Sequence, residues 1–341
     1  MNAFFHRFIS FLLLVLLLAN VVVGQQVRGV EAVGFTVTEM DRSVEFYTHV
    51  LHFQKASDQE FVGEQIEHLK GVFGARVRVV RLRLGDETLQ LSQYLAPEGR
   101  PIPVDSKSND GWFQHVAIVV RDMDEAYAWL RKNNVRHASP GPQTLPTWNP
   151  NAGGIRAFYF RDPDGHNLEV LWFPEGKGAA KWHRATRELF LGVDHTAIVV
   201  RDTEASLVLY RDVLGMKVVG TSENYGPEQE RLNNVFGARL RITSLRAESG
   251  AGIELLEYLA PKNGRPAPDD MRANDIAHWE TLLTTDCAAC GWKALTGRHV
   301  RLVSSDVEPE NGDENRVGFA FADPDGHVLE LISGNATEAK K

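Results

Sequence analysis

Apolar and polar positions alternate in several short stretches of the chain. In HVLELIS (327–333), Leu329 and Leu331 share one face of an extended strand and Glu330 takes the other. GIELLEY (252–258) sets Ile253 and Leu255 against Glu254 in the same way, HNLEVLW (166–172) does so for Glu169, and TLQLSQY (88–94) has Gln90 at that position. ARLRITSLRA (238–247) and GFAFA (318–322) also read as strands. A helical period appears after Ser206, where Leu207, Tyr210, Val213 and Leu214 keep one face and Gly215 is a natural stop. FRDPDGH (160–166) and FADPDGH (321–327) read as hairpin turns: proline presets φ, and aspartate and glycine suit the later turn positions. His166 and His327 beside them read as polar turn residues.

These elements recur. VFGARVRV at Val72 returns as VFGARLRI at Val235, LAPEGRPIP at Leu95 as LAPKNGRPAP at Leu259, and VEAVGFTVTEMDRS at Val30 as VDHTAIVVRDTEAS at Val193. Each half repeats within itself, since QHVAIVVRDMDEA (114–126) matches DHTAIVVRDTEA (194–205). The chain therefore reads as four modules of strand, helix and about three strands, an α+β class. Residues 28–175 and 190–334 are expected to form two two-module domains joined by a linker, 176–189. Pairing of neighbouring modules, one with two and three with four, is the expected arrangement, because consecutive elements are usually adjacent. The alternative pairs module three with module two.

The first 24 residues differ from the rest. His6 and Arg7 precede a leucine-rich run from Phe8, and Val22 and Gly24 suit a processing site before Gln25. A cleavable signal peptide and an exported mature chain are expected, with no membrane association after its removal. The 341 residues carry a net charge of −8 without a basic block, which argues against nucleic acid as a partner. Cys287 and Cys290 form a lone C-x-x-C, open to a disulfide or an inert buried pair and weak as a redox or metal motif.

Candidate chemistry lies at the strand starts. His115 opens HVAIVV, His195 opens HTAIVV and His278 opens HWETLL, whereas module one has Ala32. Each histidine is matched by a fourth-strand carboxylate, and such a set suits a divalent ion of Zn, Ni, Fe, Mn or Mg. Glu280 shares a strand face with His278 and is a further candidate. The spacing from histidine to the following aspartate is seven residues at His115 and His195 but eight at His278, so a bulge is implied or Trp279 is the true equivalent. Arg239 and Arg241, like Arg76 and Arg78, alternate along a strand and are candidates for clamping an anionic substrate group, or for protecting an edge strand. The loop 142–154, with Trp148, is a candidate cover.

The HxAIVVxD openings and DPDGHxLE closings resemble the vicinal-oxygen-chelate superfamily, which includes glyoxalase-type lyases, extradiol dioxygenases, epimerases and antibiotic-resistance proteins. The resemblance covers essentially the whole mature chain. It implies two cup-shaped, partly open barrels with helices outside, and metal ligands drawn from first and fourth strands. Those positions are His195, Glu254, His278 and Glu330 with neighbours paired, or His195, Glu254, His115 and Glu169 in the alternative. Ala32 leaves the cup of module one short of a ligand, so one divalent ion per chain is expected. The resemblance further implies a small oxygen-chelating substrate and a lyase or isomerase reaction in which Glu254 or Glu330 moves a proton. A dioxygenase and a non-catalytic binding protein remain open, as does the oligomeric state.

Overall fold

The computed structural model describes residues 26–298, 300–310 and 313–334; the expected signal segment lies outside them. Among the described residues no helix is long and apolar enough to cross a membrane. Each of the four modules is a helical segment on a four-stranded antiparallel run whose first and last strands pair in parallel. Module one holds the strands Val27–Thr36, Gln54–Val62, Arg76–Leu84 and Glu87–Ala96, and module two begins at Gln114–Val120 and ends at Asn167–Trp172. Module three runs from Phe190–Val200 to Gly252–Ala260, and module four from Trp279–Thr285 to Val328–Gly334.

The modules do not pair in chain order. Two nine-stranded sheets form, one from modules one and four with the short strand Ser249–Gly250 of module three added alongside Val27–Thr36, and the other from modules two and three. At their centres, Val27–Thr36 runs antiparallel to Trp279–Thr285, with Ala32 opposite Leu282, and Phe190–Val200 runs antiparallel to Gln114–Val120, with His195 opposite Ala117. The expected neighbour pairing is thereby replaced by the alternative. The physical reason lies in the cup-facing side chains. Lys70 of module one sits against Glu280 and Glu330 of module four, all three buried. Pairing modules three and four instead would crowd Glu254, Glu280 and Glu330 into one cup and leave Lys70 without these partners.

Consecutive modules still touch, on the helical side. One large apolar core takes Phe35 and Tyr47 of module one, Phe158 and Phe160 of module two, Tyr210 and Leu255 of module three, and Phe319 and Leu329 of module four. The helix of module three is capped by Asp202, whose carboxylate accepts from the Ala205 amide at 3.1 Å. It then widens to a π-helical turn over Val208–Val213. From that turn the Tyr210 hydroxyl donates to Asp323 of module four at 3.0 Å, as Tyr47 of module one donates to Asp162 of module two at 3.1 Å. The first aspartate and the histidine of each DPDGH segment thus form a buried clasp. The His166 Nδ1–H donates to Asp162 at 2.9 Å and its Nε2–H to the Ile276 carbonyl at 2.8 Å, while the His327 Nε2–H donates to the Val199 carbonyl at 2.8 Å. Both histidines are buried, so the expectation of solvated turn residues is corrected: their polarity serves bonds between modules.

The repeated GRP loops are straps within each sheet. The Arg100 guanidinium, following module one, donates to Asp275 and Asp270 ahead of module four; Arg265, following module three, donates to Asp110 and Asp105 ahead of module two. Cys287 and Cys290 are joined as a disulfide at the start of the helix Ala288–Thr296.

Candidate metal centre

The cup of modules two and three gathers four polar side chains. His115 and Glu169 come from adjacent parallel strands of module two, His195 and Glu254 from the matching strands of module three. The alternation seen in the sequence places them: Leu168 and Val170, like Ile253 and Leu255, turn into the helical core, so Glu169 and Glu254 turn into the cup. His115 Nε2 stands 3.1 Å from Glu169 Oε2, and His195 Nε2 lies 3.4 Å from Glu254 Oε2 and 3.7 Å from Glu169 Oε2.

These groups fit a divalent ion. His115, Glu169 and His195 each offer one ligand atom within 4.8 Å of the others, and all three are buried. Bonds of about 2.0–2.2 Å to a shared tetrahedral ion set ligand atoms roughly 3.3–3.6 Å apart, close to the separations here. Both ring nitrogens of His115 are buried without a hydrogen-bond partner, although Glu169 is near. Their alignment suits a common centre better than a bond to one another. Among the described residues, no lysine or arginine forms an ion pair with Glu169 or Glu254, so the charge of the cup is left to a cation.

Outer partners fix the ligands. The His195 Nδ1–H donates to Asp194 Oδ2 at 3.0 Å, which turns Nε2 toward the cup. Asp194 in turn accepts from Arg246 Nη2 at 2.8 Å and from the Trp182 indole at 3.0 Å. Burial raises a carboxyl, but His195, Arg246 and Trp182 outweigh it and hold Asp194 well below the ordinary range. Burial also opposes charge on His195; Glu254, Asp194 and Glu169 outweigh that and push it up to about 9. The Ser244 hydroxyl donates to Glu254 Oε1 at 2.6 Å. Tyr159 and Phe113 pack on the His115 ring at 4.9 and 5.6 Å between centroids. The loop 142–154 spans the two edges of this sheet: Asn149 donates to Asn224 Oδ1 at 2.7 Å and the Trp148 ring lies tilted against that of Tyr225, 4.4 Å between centroids.

The other cup receives the remaining candidates. Register places Glu280 where the first cup has His115, with Gln90 at the place of Glu254, Glu330 at that of Glu169 and Ala32 at that of His195. His278 precedes its strand, with Nε2 3.9 Å from Glu280 Oε2, so neither His278 nor Trp279 is the equivalent. His278 and Glu330 therefore do not join His195 and Glu254. Arg239 and Arg241 face away from the cup and pair with Glu223 and Glu204. Their strand is internal to the sheet, so neither a substrate clamp nor an edge guard describes them. Asp194, Trp182, Ser244 and Lys70 escaped the sequence reading. Only Asp194, an acid directly beside His195, carried a signal.

A family model, the Glyoxalase/Bleomycin resistance protein/Dioxygenase superfamily, matches residues 29–170 and 192–331. The chain belongs to this superfamily. Its members typically bind a divalent metal, and the His115, Glu169 and His195 group is where this member could hold one. A 2-epi-5-epi-valiolone epimerase from Actinomyces sp is 35% identical over 152 residues, covering 43% of this chain and 80% of that protein. A lactoylglutathione lyase from Haemophilus influenzae is 28% identical over 147 residues, covering 42% of this chain and 94% of that protein. Glyoxalase I from Zea mays shares the fold with a TM-score of 0.58 at 15% identity, over 89% of this chain and 92% of that one. A putative dioxygenase from Bacillus subtilis does so with a TM-score of 0.56 at 16% identity, over 91% and 86%.

Proposed function

We propose that this protein is a metal-dependent isomerase or lyase acting on a small molecule with two neighbouring oxygens. The observation that carries the reading is the convergence of His115, Glu169, His195 and Glu254 in one buried cup. When bound there, a divalent ion would supply Lewis-acid stabilisation of negative charge developing on substrate oxygen. The four side chains are the residues that would hold it. Glu254 suits the proton-moving role: its side chain is 21% exposed against 6% for Glu169, and Ser244 fixes one oxygen while the other faces the centre. Tyr159 and Phe113 form an apolar wall that excludes water beside it. The epimerase among the relatives favours proton transfer at carbon over oxygen chemistry, and the two-carboxylate set leans away from an iron oxygenase with a single carboxylate.

The leader read at 1–24 makes an exported protein part of the same proposal, and an exported enzyme is poorly placed for a glutathione adduct. Incubation of the metal-loaded chain with small α-hydroxy ketones in D2O tests the function. Deuterium uptake at the carbon beside the carbonyl, lost in Glu254→Gln, is expected. Tight binding of such compounds without any exchange would instead favour a sequestering protein.

A further inference from the structure

The cup of modules one and four repeats the geometry of the first with different chemistry. From the end of the helix Glu64–Lys70, the Lys70 ammonium donates to Glu280 Oε1 and Oε2 at 3.0 and 2.8 Å and to Glu330 Oε2 at 2.7 Å. Its three N–H groups are all directed at the carboxylates that occupy the ligand positions. The helix end is seated on module four, where the Ser304 hydroxyl donates to the Leu69 carbonyl. In module three the corresponding helix, Pro227–Asn233, ends on Asn233, and no cation enters the first cup from that position.

The surroundings of Lys70 follow the same exchange. Gln90 replaces a carboxylate and donates to Glu280 Oε1 at 3.3 Å, while its own carbonyl accepts from Arg81 Nε at 3.0 Å. Arg81 stands where the first cup has Ser244, and it donates to Glu31, the counterpart of Asp194, at 2.7 Å. One oxygen of the cluster is left over: Glu330 Oε1 is buried with no hydrogen-bond partner, and Glu330 is 1% exposed. A buried carboxylate oxygen without a donor is costly, so this one marks a coordination position that the ammonium does not fill.

We propose that the Lys70 ammonium holds the place of a divalent ion in this cup, so that the cup is a masked cation site that Glu280 and Glu330 would fill with metal once an uncharged side chain replaces Lys70. Charge balance supports the exchange. Two carboxylates are opposed by an ammonium, helped by Arg81 behind Gln90, where the first cup needs an ion. Burial works against charge on all three groups; Glu280 and Glu330 outweigh it to keep Lys70 protonated, Lys70 outweighs it to keep Glu280 ionised, and at Glu330 burial and the Glu280 charge win over Lys70 and push the carboxyl up to about 7. The expectation of a single ion per chain then has a positive cause, an internal cation, in addition to the alanine at position 32.

The test is Co2+ uptake by the full-length protein after stripping with chelator, read by elemental analysis and visible absorption. His195→Ala is expected to take up none, and His195→Ala/Lys70→Met to take up one equivalent. Uptake by His195→Ala alone would show that the second cup accepts metal with Lys70 in place and would overturn the proposal. A folded double variant that binds no Co2+ would overturn it as well. If Lys70→Met is unfolded without metal, refolding on addition of Co2+ supports the proposal, and failure to refold at millimolar Co2+ counts against it. A parent protein that binds no Co2+ would speak against the first cup, yet the gain of one equivalent on Lys70→Met would still stand for the second.

Discussion

Asp194 Oδ2 accepts from His195 Nδ1 at 3.0 Å, and this bond decides which nitrogen of His195 faces the cup. A carboxylate can only accept, so it selects the Nδ1–H tautomer. Asp194→Asn keeps the shape and the neighbours Arg246 and Trp182 but can donate as well as accept. The expected outcome is a drop in metal affinity of about 10–100-fold, the usual range for outer partners of a metal ligand. Chelator competition measures it. Unchanged affinity in a folded variant would mean that Asp194 does not orient the ring.

Glu169 and Glu330 hold matching strand positions in different cups, so they separate ligand from structure. Glu169→Gln removes an anion from the metal set and is expected to weaken metal binding by more than the roughly 100-fold of an outer partner. Glu330→Gln is expected to leave metal affinity within a few-fold and to lower the thermal midpoint, because Lys70 loses one of its two charged partners. The reverse order would sink the assignment of the centre to modules two and three.

Much of this site could be read from alternation alone. The leucine, isoleucine and valine neighbours of Glu254, Glu169, Glu330 and Gln90 turn these four to the opposite, concave faces, and the structure has them there. Module pairing was not readable in the same way. Each module satisfies its own strands locally, so the choice of partner rests on contacts such as Lys70 with Glu280, 210 residues apart, which no local pattern signals. The π-helical turns that bring Tyr47 and Tyr210 to the DPDGH aspartates were also invisible, because the apolar spacing of a short helix barely changes when it widens. His278 misled for a simpler reason. A histidine before a strand and one inside it look alike in sequence, and only the pairing register shows that Glu280 takes the inward position.

The clasp at His166 makes stability depend on pH in a defined window. Burial disfavours its charge, but Asp162 at 2.9 Å outweighs this and raises His166 above its ordinary 6.5. Asp162, also buried, is held below its ordinary 3.8 by His166 and three backbone N–H groups. Stability from His166 is complete below 6.5 and is lost as pH rises through the raised value. Stability from Asp162 is complete above 3.8 and is lost as pH falls through the lowered one. Both are in force between 3.8 and 6.5. His166→Ala is expected to cost about 3–5 kcal/mol there, as for a broken buried pair. Urea unfolding of parent and variant at about pH 5 and about pH 9 checks it. A difference that is as large at the higher pH would show that packing, not the charge, is what His166 contributes.

The strap glycines offer a control in which each cup reports on the other. A Cβ on Gly264 would lie 1.7 Å from the Asn109 carbonyl oxygen, and one on Gly99 would lie 1.8 Å from that of Asn274. Neither approach is possible, so an alanine must lift its strap from the facing loop. At Gly264 the loop affected, 105–111, is held by Arg265 and leads directly into the strand that carries His115. At Gly99 it leads into module four. Both substitutions are expected to destabilise by about 1–3 kcal/mol, the usual range for forced overpacking. Only Gly264→Ala is expected to weaken metal binding, since only its strap joins the two modules that hold the ligands. Side-by-side chemical denaturation and metal titration test this. Equal losses of metal affinity in the two variants would show that the sheets behave as one unit, and that the strap of modules two and three has no particular hold on the centre.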